Sequence, residues 1–555
     1  MSRGVHLHLW LVSGLILLTL MRYGIEAFAA HPWTMADDAR QFLTWGARIS
    51  NPAAMPGNLL ADYWQQTAPP LYRGLLYAAD GLGVGPVLLS KLLAFPLILF
   101  SGGMAWRLSR CFADDPRLQT FATLCIMAAI IHNDSIFSGT PRAFASPIIL
   151  VTMLGIATQR HGLTVAGLLT SSILYPAPAI TGLGIFALQL LRWRFPLRLA
   201  LSWRAITLLG GTAMLVLGAG LYFKAGLRSW GPTLSLDEAR HIFGLATTDG
   251  RSSIVGPEGD IAWICSPRIG FLPAIVNCQG NWDPRLLLNA CLTIVPMISL
   301  WIACGREWKR LGTGQAKVDP VWRLFPNSLV SSLICYVFAA QFAFAFHLPA
   351  RYSQPVLLIM GSLALGLWIG RFWVRIENRL ACSRPVIRSG LLGMFILVGL
   401  AIFATPKMRL KHPHHTDLIA LIASTPPNTV IAGVSDDLDM VPAETGRAIL
   451  ASPEHDIPYH RRYHRESQAR LRASMLMGQL THSTAMAAYV RQYKVDLLVF
   501  DRRFLETGML PESYRSVLRP PHRSSPSLDG IAALRADSCR VIETRQWVAI
   551  FTTCI

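Results

Sequence analysis

Ser389-Gly-Leu-Leu-Gly-Met-Phe-Ile-Leu-Val-Gly-Leu-Ala-Ile-Phe-Ala-Thr-Pro406 carries no charge, and Lys407-Met-Arg409-Leu-Lys411-His412-Pro-His414-His415 follows at once. The first stretch suits hydrocarbon. A spanning helix needs about 20 mostly apolar residues, because lipid offers no partner to free backbone groups. The second stretch suits water. Working outward from this junction, residues 1–406 hold 32 Lys+Arg and 17 Asp+Glu, whereas 407–555 hold 19 and 15. Charge density roughly doubles at the junction. Over all 555 residues, 52% are hydrophobic and 15% charged, with a mean hydropathy of +0.39. Soluble globular chains carry nearer ~25% charged residues. A single soluble domain and a disordered chain are both excluded. The predicted fold class is a polytopic α-helical membrane domain over 1–406, followed by a soluble α/β domain over 407–555.

Apolar runs place spans at 8–28, 83–106, 118–133, 142–158, 162–174, 176–192, 204–224, 286–304, 328–348, 355–374 and 389–406, eleven in all. Polar joints at His132-Asn133-Asp134 and Tyr175-Pro176 decide where the short ones are cut. Arg22 and Glu26 interrupt the end of the first run and no small-x-small site follows, so it reads as a span and not as a cleaved signal peptide. With the N-terminus in the cytoplasm, the inside segments hold 19 Lys+Arg against 5 Asp+Glu, and the longer outside segments hold 10 against 11. Lys/Arg excess marks the cytoplasmic side. An odd number of spans then puts the 407–555 domain outside, beside the outer loops 29–82 and 225–285. The net charge of +19 is thus a topology signal. No basic face with interleaved aromatics speaks for nucleic acid. Cys265 with Cys278, and Cys539 with Cys554, fall outside and can each close a disulfide in an oxidising compartment, or remain free thiols.

Polar groups kept at depth or at the interface mark function in a membrane protein. Here they collect on the outer side. His31-Pro-Trp-Thr-Met-Ala-Asp37-Asp38-Ala-Arg40 lies just past the first span. Residues 37–49 carry helical apolar spacing, with the acid pair near the start. One reading is a helix cap stabilised by the dipole; the other is a general base. The same loop continues to Pro69-Pro70-Leu71-Tyr72-Arg73, which reads as an interfacial helix. Lys91 falls in the second span, as a snorkelling side chain or a site group. Asp134, Arg142, and the turn His347-Leu-Pro-Ala-Arg351-Tyr352-Ser-Gln-Pro355 complete the outer set. A carboxylate can take a proton from an acceptor hydroxyl, and Arg and Lys can hold phosphate oxygens. That is the chemistry of moving a group from a lipid phosphate to an acceptor at a membrane surface.

These residues resemble the GT-C class of integral-membrane glycosyltransferases, nearest to the aminoarabinose-lipid A transferases and protein O-mannosyltransferases. Asp37-Asp38-Ala39-Arg40 is similar to the Asp-Glu-x-Arg of the first outer loop in those families. Ala68-Pro69-Pro70-Leu71-Tyr72 is similar to their Lys-Pro-Pro-Leu-Tyr, and Gly83-Val-Gly-Pro-Val-Leu-Leu-Ser-Lys91 follows it as their next helix does. Arg351-Tyr352-Ser-Gln-Pro355 is similar to their late Arg-Tyr-x-x-Pro turn. The resemblance implies a polyprenyl-phosphate sugar donor, a glycan, lipid or protein acceptor, transfer outside the cytoplasm and a bacterial inner-membrane location. It implies Asp37 as acid–base residue with Asp38 supporting it. Arg40, Tyr72, Lys91, Arg142, Arg351 and Tyr352 are then the substrate-binding set, and no metal or other cofactor is assigned. Ala68 stands where the family has Lys, so one phosphate contact is missing, and Arg142 and Lys91 are the candidates to replace it.

The tail reads as strands at 429–434, 447–451, 496–501 and 547–552, the last pairing with 539–543, with helices at 416–424 and 466–493. A partly parallel sheet follows. Gly433-Val-Ser-Asp-Asp-Leu-Asp439 lacks the glycines of a dinucleotide fingerprint. The histidines at 412, 414, 415, 455, 460 and 464 are irregularly spaced, which favours solvated loop positions over a metal site. The polar, aromatic run Ser452-Pro-Glu-His-Asp-Ile-Pro-Tyr459-His-Arg-Arg-Tyr463 is a candidate acceptor cleft. Two other functions compete. A transporter or flippase of a lipid-linked or anionic substrate would place its polar site near mid-bilayer, in repeated halves; these groups sit at one face and no repeat is evident. A non-catalytic scaffold leaves the acid pair and the isolated cations unexplained.

Overall fold

A computed structural model describes residues 3–132, 134–194, 198–200, 202–256, 258–264, 266–273, 293–312, 320–380, 385–406, 408–478, 483–518 and 539–554. Each of the eleven apolar runs meets a helix. They are Arg3–Gly24, Pro86–Arg110, Pro116–His132, Ala145–Ala157, His161–Leu174, Pro176–Leu190, Trp203–Gly226, Ile294–Gly312, Leu324–Gln341, Ala350–Leu380 and Pro385–Ala404. Among the described residues, five helices are long and apolar enough to cross a membrane: His8–Ala29, Pro86–Arg110, Trp203–Gly226, Leu324–Gln341 and Ala350–Arg379. The break at Tyr175-Pro176 is real, because proline cannot continue the helix that ends at Leu174.

The chain forms two compact units. One comprises residues 1–30, 91–224 and 256–409; the other comprises 31–90, 225–255 and 410–555. The second begins its last segment close to the predicted 407 boundary. It also takes in most of the first outer loop and part of the second, which a linear cut assigns to the membrane domain.

In the first unit the helices lie close. Gly366 and Gly370, four apart on the helix Ala350–Leu380, face the helix Pro116–His132; a Cβ on Gly370 would stand 2.9 Å from the Leu118 Cα. Without hydrophobic drive between helices in lipid, such small residues permit the packing. Backbone carbonyls take the few polar side chains: Thr19 Oγ1 donates to Phe403 O at 2.7 Å and His132 Nε2 meets Ile402 O at 3.1 Å. Large apolar side chains such as Trp10, Met214, Leu221 and Trp301 stay exposed, as a lipid-facing surface requires.

In the second unit a five-stranded sheet has the order Ala448–Ile449, Val430–Val434, Leu497–Asp501, Trp547–Phe551, Val541–Glu543. The first two pairings are parallel and the last two antiparallel. The predicted strands and the mixed topology are therefore both present. Strands 430–434 and 497–501 are almost wholly buried, with helices Arg461–Met477 and Ser483–Tyr493 between them in sequence where one helix was predicted. Gly433 sits at φ +147°, and a Cβ there would collide with the Val499 carbonyl on the neighbouring strand. Cys539 and Cys554 form a disulfide at the end of the last hairpin. Cys265 and Cys278 lie outside the described residues.

Candidate active site

The acid pair sits where a short strand, Met35–Ala36, gives way to a single helical turn, Ala39–Phe42. The strand pairs antiparallel with Leu410–Lys411. The predicted helix from 37 to 49 is broken into Ala39–Phe42 and Ala47–Ser50. Thr44 Oγ1 turns back onto the carbonyls of Arg40 and Gln41, at 3.0 and 2.7 Å, and Gly46 is a weak helix former. Asp38 stands at the N-cap of the first turn without a side-chain capping bond.

Instead the acids surround Arg40. This guanidinium is buried, and its Nη2 donates to Asp37 Oδ1 and, at 2.8 Å, to Glu454 Oε2, while Nη1 donates to Asp439 Oδ2 at 3.1 Å. Glu454 Oε1 accepts from Arg251 Nη2 at 2.6 Å and from Gln41 Nε2. Arg251 Nη1 also donates to the Pro453 carbonyl at 2.8 Å. Three carboxylates thus share two guanidinium groups. Removing one partner of such a buried pair leaves an uncompensated charge and costs about 3–5 kcal/mol.

The three carboxylates differ in exposure. The Asp37 side chain is 30% accessible, against 11% for Glu454 and 4% for Asp439. Burial pushes the Asp37 carboxyl up, but Arg40, Lys411 and Arg251 outweigh it and hold it below the usual carboxylate range. Burial with the adjacent Glu454 charge pushes Asp439 up to about 7, against the pull of Arg40. Burial opposes the charge on Arg40, and Glu454, Asp439 and Asp37 more than restore it, so the guanidinium stays protonated.

His455 completes the floor. It is fully buried, with Nε2 3.1 Å from the Arg40 carbonyl and Nδ1 2.6 Å from Ser452 Oγ. The carbonyl can only accept, so Nε2 carries the proton and Ser452 donates to Nδ1. Burial drives its pKa down to about 3, helped by the two guanidinium groups. The expectation of solvated loop histidines holds for His412 and His414, which are exposed, and fails for His455, which is buried. His415 Nδ1 meets Asp437 at 2.8 Å, His464 Nδ1 meets Asp456 at 3.1 Å and His460 Nδ1 meets the Tyr63 hydroxyl at 2.9 Å.

Asp37, Asp38, Arg40 and Tyr72 belong to one compact unit, and Lys91, Arg142, Arg351 and Tyr352 to the other. Tyr72 is fully buried in the helix Pro70–Asp80, its hydroxyl without a hydrogen-bond partner among the described residues and its pKa raised by burial. Lys91 Nζ stands 5.7 Å from the centre of the Phe28 ring. Arg142 is half-buried in the 3-10 turn Pro141–Phe144. Arg351 and Tyr352 are not in a turn: the helix starts at Ala350 and runs through Pro355. Proline is tolerated inside membrane helices because neighbours re-satisfy the freed carbonyl. The turn lies earlier, where Phe344 and His347 take positive φ and bridge each other. The Tyr352 hydroxyl donates to the Phe346 carbonyl at 2.7 Å, which closes that turn and occupies the hydroxyl proton.

Sequence reasoning missed Asp439 and Arg251, and it placed Glu454 and His455 only within the run 452–463 read as an acceptor cleft, without their contacts to Arg40. Asp439 and Glu454 do stand in polar runs, 435–439 and 452–463, whose charge density inside a tail of buried strands was the available signal.

The fold is that of the GT-C class of membrane glycosyltransferases, and the chain is an integral membrane protein. It is similar to the archaeal oligosaccharyltransferase AglB of Archaeoglobus fulgidus, solved with an inhibitory peptide and a dolichol-phosphate. The TM-score is 0.54 at 11% identity, over 91% of this chain and 70% of that one. The apo form of the Archaeoglobus fulgidus oligosaccharyltransferase gives 0.53 at 12% identity, over 90% and 70%. ArnT of Cupriavidus metallidurans, bound to undecaprenyl phosphate, gives 0.50 at 12% identity, over 98% of both chains. No family model and no curated protein matches the sequence.

Proposed function

We propose that this protein moves a sugar from a polyprenyl-phosphate donor to a glycan, lipid or protein acceptor at the outer face of the membrane, with Asp37 as the base. One observation carries the reading. Of the three carboxylates gathered on Arg40, Asp37 alone is substantially open to solvent while held ionised. Asp439 and Glu454 are support; Asp37 is placed to meet a substrate. The acceptor oxygen attacks the anomeric carbon, the bond from that carbon to the phosphate oxygen breaks, and its electron pair leaves on the polyprenyl phosphate. The acceptor proton passes to Asp37, which must come within roughly 3 Å of that hydroxyl. Asp38 supports the loop. Arg351 is the cation expected to contact the donor phosphate, and Arg142 and Lys91 are the candidates to replace the Lys for which Ala68 stands. No metal is assigned to the step.

The lipid phosphates bound to AglB and ArnT support a donor of that class. Eleven spans with a cytoplasmic N-terminus put residues 407–555 outside, in a bacterial inner membrane; the Lys/Arg asymmetry supports this orientation. The test is transfer by the purified full-length protein in liposomes carrying polyprenyl-phosphate sugars. Asp37→Asn keeps shape and removes the base, so it should abolish transfer and spare expression and donor binding, whereas Asp38→Asn should do less. Near-full transfer by Asp37→Asn refutes the assignment. A dead Asp38→Asn beside an active Asp37→Asn reverses the two roles.

A further inference from the structure

Three separate stretches of chain meet at one carboxylate. Glu454 follows the strand Ala448–Ile449. It holds Arg40 and Gln41 from the first outer segment and Arg251 from the second. The nitrogen of Arg40 that donates to Glu454 is the same Nη2 that donates to Asp37. We propose that Glu454 is a positioning residue for Asp37: by sharing the Arg40 fork it sets where the Asp37 carboxylate stands and how much of Arg40's charge that carboxylate feels. The role assigned to Glu454 rests on Asp37 being the base.

The first segment cannot orient Asp37 by itself. Its helices at 39–42 and 47–50 are single turns, and turns that short do not persist alone. Residues 410–555 supply the template. Met35–Ala36 pairs with Leu410–Lys411, His455 donates to the Arg40 carbonyl, and Asn58 Nδ2 donates to the Ile449 carbonyl at 2.8 Å. The rings of Tyr63 and Tyr463 stack with centres 3.6 Å apart. These contacts fix backbone and flank. From the tail, Asp439 and Glu454 hold the head of Arg40, and Asp439 takes Nη1, not the nitrogen that Asp37 uses.

Nη2 carries two N–H groups, so Glu454 and Asp37 each take one and share its charge. The cations around them are Arg40, Arg251 and Lys411, with Asp439 pushed up by burial and His455 neutral beneath. Loss of the Glu454 charge leaves more of the Arg40 charge to Asp37 and a more positive surround. Asp37 is then a weaker base. Loss of Arg251 acts oppositely: Glu454 turns further to Arg40, and one cation near Asp37 is gone.

The experiment needs no substrate. A water-soluble carbodiimide with glycine ethyl ester modifies protonated carboxyls, so its initial rate at Asp37 scales with the protonated fraction. Full-length protein in phospholipid nanodiscs is labelled at pH 5, and the Asp37 peptide is read by mass spectrometry. Glu454→Gln should lower the Asp37 rate about threefold, equivalent to half a pH unit, and Glu454→Asp, which keeps the charge, should restore it toward the unmodified protein. Arg251→Gln should raise the rate about threefold. An unchanged or raised rate in Glu454→Gln overturns the proposal. If that variant does not fold, an unchanged or lowered rate in Arg251→Gln overturns it instead. The transfer test of Asp37→Asn stands apart: its failure removes the base, whereas an unmoved labelling rate removes only the role of Glu454.

Discussion

Replacing His455 by Gln should make the protein less sensitive to acid. The native imidazole is fully buried and neutral, with both ring nitrogens satisfied by Ser452 and the Arg40 carbonyl. Protonation would put a cation beside Arg40 and Arg251 and reverse the Ser452 hydroxyl. Its pKa falls from 6.5 to about 3 on folding, so between those values the unfolded chain holds a proton that the folded chain does not. Its contribution to stability is complete above pH 6.5 and is lost as pH falls through this window. At about 1.4 kcal/mol per pH unit, it loses about 2.7 kcal/mol by pH 4.5. Asp439 works the other way. Its raised pKa favours the folded state at low pH and loses that advantage as pH rises toward about 7, but it is present in both proteins and drops out of the difference. Gln keeps a donor for the Arg40 carbonyl and cannot titrate. Thermal unfolding in detergent, followed by tryptophan fluorescence at pH 7.5 and 4.5, should show Tm falling less in His455→Gln than in the unmodified protein. By the usual scaling for a body of 150–250 residues, the difference is about 5–10 °C. Equal falls would show that His455 carries no such linkage.

Two further outcomes test the architecture. Gly433→Ala should prevent the 410–555 sheet from forming, because the added methyl occupies the space of the Val499 carbonyl in the parallel neighbour; protease resistance of that segment measures it, and a resistant variant refutes the close approach. Reporter fusions after residues 320 and 420 should fall on opposite sides of the membrane, and a cytoplasmic 420 fusion would sink the proposed outer-face site with it.

Local pattern was enough for the elements of this protein. The uncharged run 389–406, the buried run Leu497-Leu-Val-Phe-Asp501 and the break at Tyr175-Pro176 each depend on residues within a few positions of one another, and the structure carries each. Asp37 and Arg40, three apart on one turn, are neighbours by local geometry, but the sequence reading assigned Arg40 to the substrate and did not pair it with Asp37. The rest of the site was not legible. Asp439 and Glu454 reach Arg40 across 399 and 414 residues, and Arg251 reaches Glu454 across 203. Charge acts through distance in space, and a sequence states distance only along the chain. The same limit misjudged His455, whose place in an irregularly spaced run resembles a solvated loop until burial, which only packing creates, makes it a neutral hydrogen-bonding strut. The sequence by itself determined that helices cross lipid and that a mixed sheet follows. Tertiary structure alone decided which carboxylate stays open to solvent, because that depends on which neighbours the fold brings to Arg40 and how deeply it buries them.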